Sequence, residues 1–342
     1  MRSYELRVST VLMQDSQGFP NGLCIIQVGE YTLTGADIRR DGEGEKSVVG
    51  FRDAIAVGNY ADDLHGCKGP DDFNKAIEHL SNLTGGQGPF EVPLRSLIPE
   101  KVDGLLAAEK NISQSRLANG ATRLQPITML TGQAAGTLAA LASTEGIQLR
   151  AVSAEKVQIQ LLRSGSILAR EPMSDIPMGT RPWQAAQFAV THQWMATDGK
   201  GFAPGKTLTR AEAAEILAYA FDLTRPPALH PLHSWILPQY AMATYQDLPL
   251  YAKGSAAVEA LHAAGINLSC RQSSEMFCPD GSFTTGEFLN LVSALDKLQP
   301  ANHAAGGAEL RRDVLGQDGS ALTRGDAATI LYNNQENMLG MD

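Results

Sequence analysis

One stretch of this chain is written twice, with the same punctuation, and that duplication constrains the fold more tightly than any composition. Phe202-Ala-Pro204-Gly-Lys-Thr-Leu208-Thr209-Arg210-Ala-Glu212 returns as Phe277-Cys-Pro279-Asp-Gly-Ser-Phe283-Thr284-Thr285-Gly-Glu287. Upstream of each, Asp175-Ile-Pro-Met178 matches Asp247-Leu-Pro-Leu250, and Trp183–Met195 matches Ser255–Ile266. A third, shortened copy carries Asp313-Val-Leu and then Asp318-Gly-Ser-Ala-Leu322-Thr323-Arg324-Gly-Asp326. A period of roughly 70 residues marks internal repetition, in copies spanning about 173–223, 245–298 and 310–335.

Each copy reads as helix, loop, helix. Thr209 and Thr284 stand where a helix amino cap belongs, and Glu212 and Glu287 follow three residues later, the pattern of a capping box. Ala213, Ile216, Leu217 and Ala220, like Phe288, Leu291, Val292 and Leu295, form apolar stripes at helical spacing. Such helix pairs bury their stripes only by packing on one another. An all-α repeat domain over 181–342 follows, preceded by a linker at 170–180, where Pro172 and Pro177 interrupt the chain.

Composition bounds the partners. The 342 residues are 43% apolar and 19% charged, enough to build two cores, and the net charge is -9. Nucleic acid and anionic membranes need a basic face to release counterions, so neither is expected as the main partner. The weakly polar run Leu130–Ser143 is too short to cross a bilayer, and Met1–Met13 lacks the continuous apolar core of a signal peptide. Cys24 and Cys67 stand alone, while Cys270 and Cys278 bracket a short polar loop. The pair is either a disulfide, which would place the chain in an oxidising compartment, or two small apolar side chains under a loop.

The first 60 residues suggest strands at Leu23–Val28 and Tyr31–Thr34, separated by turns at Asn21-Gly22 and Gly29. Gly42-Glu-Gly44 lacks the third glycine of a phosphate loop and lies among acidic residues. From Gly88 the chain becomes more informative. Val102–Ala108 reads as a short buried strand with Glu109 and Lys110 at its carboxyl end, where open α/β sheets place ligands. Pro126 opens a helix whose small residues Gly132, Ala135, Gly136, Ala139 and Ala140 allow close approach of a backbone or a flat ligand. Val157–Leu168 is amphipathic and closes this region.

Four ordered motifs lie within this block: Pro93-Leu-Arg95-Ser-Leu-Ile-Pro99, Gly104-Leu-Leu-Ala-Ala108, Asn119-Gly-Ala-Thr-Arg123 and Thr131-Gly-Gln-Ala-Ala-Gly136. They resemble the carboxyl-terminal FAD-binding segment of FAD-dependent oxidoreductases with a two-dinucleotide-binding-domain fold, distantly related to the fumarate reductase flavoprotein. Ala54–Gly66 resembles that family's Tyr, Asp and His segment. The resemblance implies an α/β (α+β) flavoprotein fragment over 1–169. It implies that Ala108 and Glu109 line a strand end, and that Gln125, Pro126, Ile127 and Thr128 frame a helix start offering N–H groups to the flavin. Gly132, Gln133 and Gly136 would lie along that helix, with His65, Arg123 and Arg95 as catalytic candidates. Arg in a loop is equally a structural ion-pair partner, and His65 equally a satisfied hydrogen-bonding residue.

The chain departs from that family in two places. Glu109 stands where many relatives have Gly, and a carboxylate near FAD phosphates is unfavourable unless Lys110 or Lys101 pairs with it. Residues 1–90 supply no Gly-x-Gly-x-x-Gly turn, so the amino-terminal Rossmann βαβ unit is missing and the FAD site is partial. A longer polypeptide or a second chain would complete it, or the segment is a scaffold that no longer catalyses.

The repeats resemble S-layer homology repeats, through the leading Asp-hydrophobic pair, the Phe-x-Pro loop and the Thr-Arg-x-Glu helix start. That resemblance implies binding of cell-wall polysaccharide, with Arg210 and Arg324 facing an anionic sugar and Thr285 breaking the pattern in the second copy. It also implies an extracytoplasmic or envelope location. Two functions follow: part of an envelope-tethered oxidoreductase, or a wall-binding module.

Overall fold

The computed structural model describes residues 28–38, 50–60, 88–224, 243–270, 273–298 and 319–341. The chain divides into two compact units between Glu171 and Pro172.

The first unit mixes helices with a small sheet. Strands β1 (Ala54–Gly58) and β2 (Phe90–Pro93) pair antiparallel, with Ala56 opposite Val92 and Gly58 opposite Phe90. Gly58 is required by packing, because a Cβ there would lie 2.5 Å from the Phe90 ring and 2.8 Å from Ile127. A four-residue helix α1 (Gly35–Ile38) precedes the sheet, and helix α2 (Arg116–Thr122) follows it, capped by the Ser115 hydroxyl accepting from the Ala118 N–H. Helix α3 (Gln125–Glu145) carries Pro in its first turn and ends at Gly146 in the left-handed conformation, φ 67°. Its buried stripe, Ile127, Thr131, Ala134, Leu138 and Ala142, faces the sheet, as 3.6-residue periodicity dictates. Helix α4 (Ala154–Arg163) buries Val157, Ile159, Leu161 and Leu162. Its fully buried Gln158 donates to the Arg52 and Ala54 carbonyls at 2.8 and 2.9 Å, which ties the helix to the start of β1.

Three expectations change here. Val102–Ala108 is not a strand: residues 101–104 are exposed, Gly104 has φ 71°, and the run is anchored by Ala107 N–H to Leu97 O at 2.8 Å and by the Asn111 N–H to Ala108 O at 3.4 Å. The apolar letters Leu106 and Ala107 are buried, but without a neighbouring strand they form no ladder. Tyr31–Thr34 makes a single bridge, Leu33 with Gln114, and the chain then turns into α1. Val157–Leu168 is helical only as far as Arg163, and Gly165 at φ 83° ends the run. Leu23–Gln27, Gly42–Gly44 and His65 lie outside the described residues.

The second unit is built from helices α5 (Arg181–Thr191), α6 (Arg210–Ala220), α7 (Ser255–Ala263), α8 (Thr285–Leu298) and α9 (Arg324–Met338). Isolated β-bridges join the copies, Thr207 to Thr323 and Thr284 to Ala321. Reciprocal capping bonds are present at Thr209/Glu212, Thr284/Glu287 and Thr323/Asp326. The region drawn as a linker holds order of its own: Met173 and Ile176 are buried, and Arg170 donates to the buried Glu91 carboxylate at 3.1 Å.

Why an aspartate leads each copy is visible in the bonds. Asp175 accepts from the Phe202 and Ala203 N–H groups at 3.0 and 2.6 Å, and Asp247 accepts from Phe277 and Cys278, both at 2.7 Å. The carboxylate thus closes the Phe-x-Pro loop of its own copy. The helix starts then interlock in a ring. Arg210 and Ala211 donate their N–H groups to Gly281 and Pro279 of the second copy, Thr285 donates to Ser320 of the third, and Arg324 and Gly325 donate to Lys206 and Pro204 of the first.

Candidate functional site

Two regions gather the residues singled out by sequence. In the first unit the 3₁₀ turn Glu109–Asn111 lies against α3, so the structure brings together the 108–109 segment and the helix that the sequence pairs with it. Glu109 is exposed and has φ 63°, a left-handed conformation that costs a residue with a Cβ of order 1 kcal/mol and costs glycine almost nothing. That geometry explains why glycine suits this position.

Helix α3 begins after Leu124, which provides no side-chain cap. Pro126 has no N–H, and the Thr128 N–H goes to Leu124 O at 3.0 Å, leaving Gln125 and Ile127 as the residues whose amides the helix start can offer. Gln125 and Pro126 are exposed, whereas Ile127 and Thr128 face the core. The outward stripe continues through Met129, 74% exposed, Gly132, Gln133, Gly136 and Ala140. Among the described residues, an added Cβ at Gly132 or Gly136 would meet nothing within 4 Å, so packing against them explains neither glycine. Ala135 instead faces the core, which splits the small-residue pattern between two faces.

Arg95 is held in a two-pronged pair with Asp53, Nε to Oδ2 at 2.9 Å and Nη2 to Oδ1 at 3.2 Å, and its guanidinium lies 5.2 Å from the Tyr31 ring centre. The Asp53 hydrogen bond raises its pKa and burial opposes that. Burial and the neighbouring Asp37 carboxylate also raise the Tyr31 hydroxyl above its ordinary range. Arg123 is half-buried at the end of α2, directly before α3, where its backbone N–H bonds Asn119 O.

In the second unit a groove of about 350 Å³ separates the first and second copies. Thr209, Ala211 and Glu212 form one wall, Asp247, Leu248, Ala252 and Lys253 another, and Pro279 with Asp280 the third. Glu212 stays ionised: burial would raise its pKa, but the Thr209 N–H and Lys206 lower it on balance. Lys253 and Asp280 are exposed. Lys253 lies outside the repeat motifs and Asp280 within the second of them, and only the fold brings the two together.

Arg210 sits beneath this groove, 7% exposed. Its Nε donates to Phe277 O at 2.8 Å and its Nη2 to Leu268 O at 2.6 Å, while the guanidinium lies 3.9 Å from the Phe283 ring centre. Arg324 is seated alike but partly exposed, with Nε to Phe202 O at 2.8 Å and Nη2 to Ala196 O at 2.5 Å. Burial lowers the pKa of both. The two arginines thus fasten one copy to the loop of the next. Cys270 and Cys278 are joined by a disulfide in the loop that seats Arg210.

Comparison with known families agrees with the two units. Residues 27–161 match the family model of FAD dependent oxidoreductases, and residues 172–214 match that of the S-layer homology domain. The chain therefore joins a segment like an FAD dependent oxidoreductase to a segment like an S-layer homology domain. No curated protein matches the chain. Among the described residues, no helix is long and apolar enough to cross a membrane, and no cluster of His, Cys, Asp and Glu could hold a metal ion.

Proposed function

We propose that this chain is the carboxyl-terminal portion of an envelope-associated FAD-dependent oxidoreductase, tethered to cell-wall polysaccharide through its repeats. The observation that carries the proposal is the pair of glycines, Gly132 and Gly136, on an outward face of α3 with open space where a side chain would be. Glycine in a helix interior costs about 1 kcal/mol relative to alanine, and no contact with the described residues offsets it. A flat ligand on that face would.

FAD, when bound, would supply hydride transfer with an organic substrate. The residues that would hold its ring portion are Ala108, Glu109, Gln125, Pro126, Ile127 and Thr128, with Gly132, Gln133 and Gly136 leaving room beside it. The uncapped start of α3 would favour negative charge, and Arg123 and His65 are the candidates to hold an acidic substrate or move a proton. Arg95, paired with Asp53, would act by positioning. A missing amino-terminal segment or a second chain would bind the nucleotide portion.

In the second unit, Arg210 and Arg324 would serve polysaccharide by holding the loops that wall the groove. Among the described residues that line the groove, Lys253 is the one cation, and would meet an acidic sugar substituent.

The test is a titration of the longest in-frame product with FAD, followed by the visible flavin band, for the parent and for Gly132→Val/Gly136→Val. The expected result is a perturbed flavin spectrum in the parent and loss of it in the variant, with the circular dichroism of both alike. No spectral change at about 1 mM FAD, where about 4 kcal/mol of binding would register, sinks the cofactor reading. The irregular course of 102–108, in place of the expected strand, favours the second reading, a non-catalytic wall-binding module. A colourless protein that cosediments with wall polysaccharide would support it.

A further inference from the structure

The loops that close the first and second copies do the same work by different chemistry. Each offers carbonyl oxygens to the arginine that starts the next helix in the ring: Ala196 O and Phe202 O to Arg324, Leu268 O and Phe277 O to Arg210. In the first copy the turn is closed by a side chain, with Asp198 accepting from the Lys200 and Gly201 N–H groups at 2.8 and 2.9 Å. In the second copy Asn267 accepts from the Ser269 N–H at 2.9 Å and Ser273 from the Glu275 N–H at 3.1 Å, and the Cys270–Cys278 bond spans the loop as well.

That bond sits at the centre of the seat. Leu268 O lies two residues before Cys270 and Phe277 O one residue before Cys278. The Cys278 N–H donates to Asp247, and the Cys278 carbonyl accepts from Gly281 at 3.0 Å, setting the turn that carries Pro279 and Asp280 into the groove wall. Gly281 and Pro279 in turn accept the first N–H groups of α6, from Arg210 and Ala211.

We propose that the Cys270–Cys278 disulfide is a redox latch on the groove between the first and second copies, and that its reduction opens this groove while leaving the Arg324 seat intact. The assignment of the groove to polysaccharide rests on the function proposed above; the latch itself does not. In the step, a dithiol delivers two electrons and two protons, the sulfur–sulfur bond breaks to give two cysteine thiols, and the reductant closes to its own disulfide. The constraint removed is that of a loop with sequence separation 8, equivalent on the order of 50- to 100-fold in the ratio of closed to open loop. An aspartate-closed loop has no such term to lose.

The experiment is amide hydrogen exchange on the full chain, oxidised and after dithiothreitol, with Cys270→Ser/Cys278→Ser as the second protein. Expected is exchange faster by tens of fold at Arg210, Ala211, Phe277 and Cys278 on reduction, with Arg324 and Gly325 unchanged. The double variant should show the fast exchange under both conditions, which separates this bond from any effect at Cys24 or Cys67. Equal exchange at Arg210 and Ala211 in both redox states overturns the latch, as does acceleration at Arg324 and Gly325 to the same extent. Cosedimentation with wall polysaccharide is measured in parallel. Binding lost on reduction extends the latch to the ligand. Absence of binding in the oxidised protein removes the polysaccharide reading of the groove and leaves the exchange result to decide the latch.

Discussion

Replacing Arg210 by methionine separates a structural role from a ligand-binding one. Methionine keeps most of the apolar stem and removes the guanidinium. Two carbonyls, Phe277 O and Leu268 O, lose their donors in a place where the arginine is only 7% exposed. Leaving a buried acceptor unmatched costs about 1–2 kcal/mol each, and the cation over the Phe283 ring adds about 1 kcal/mol. Recovery of the arginine's own desolvation offsets part of this, so the net expectation is a loss of about 3 kcal/mol. For a urea dependence of about 2 kcal/mol/M, the midpoint falls by about 1.5 M. Tryptophan fluorescence is the right probe, because all three tryptophans lie beyond residue 172 in the sequence, and Trp183 and Trp194 are buried in the second unit. Arg324→Met is the internal comparison: Arg324 is only partly exposed, but water can replace its bonds more readily than at Arg210, and about 1 kcal/mol is expected. An Arg210→Met midpoint within the error of the parent, together with loss of polysaccharide binding, would refute the buried-seat account and return Arg210 to direct contact with the sugar.

Three further predictions follow from single side chains. Burial raises the Glu91 carboxyl to about 7 in the folded chain, against the pull of Arg170 and the Phe51 N–H. A raised carboxyl stabilises fully below the unfolded value near 4.5 and loses that contribution as pH rises through about 7, so Glu91→Gln should flatten the pH dependence of first-unit stability by about 3 kcal/mol between these limits; an unchanged slope in circular-dichroism melts contradicts it. Glu109→Gly should stabilise the first unit by about 0.5–1 kcal/mol, since φ 63° suits glycine, whereas a destabilised variant would mean that the Glu109 side chain makes a contact worth more than the strain. Asp247→Ala strips the acceptor from the Phe277 and Cys278 N–H groups and should cost about 2 kcal/mol by tryptophan-monitored unfolding. The exposed Asp175→Ala should cost less, and equal losses would count against burial as the cause.

What the sequence could and could not reveal divides along the range of the forces involved. The capping boxes at Thr209 and Thr284 were legible because each is complete within four residues, and α3 was legible because Pro at its start and small residues at helical spacing are both local signals. The run at 102–108 was misread because Leu-Leu-Ala-Ala is apolar in a strand, a helix or a buried loop alike, and the fold supplied no neighbouring ladder to make it a strand. Arg210 shows the deeper limit. The arginine is visible in the repeat, but its partners are backbone carbonyls 58 and 67 residues away, and a carbonyl leaves no mark in the sequence. A recurring arginine beside a groove therefore has two physical explanations, a ligand to hold or a neighbouring loop to fasten, and the pattern of letters is the same for both. The distinction is carried by burial, and burial favours fastening at Arg210 more strongly than at Arg324. By the same argument Thr285, which breaks the arginine pattern, still fastens its helix start to a neighbouring copy, because its N–H and hydroxyl both meet Ser320.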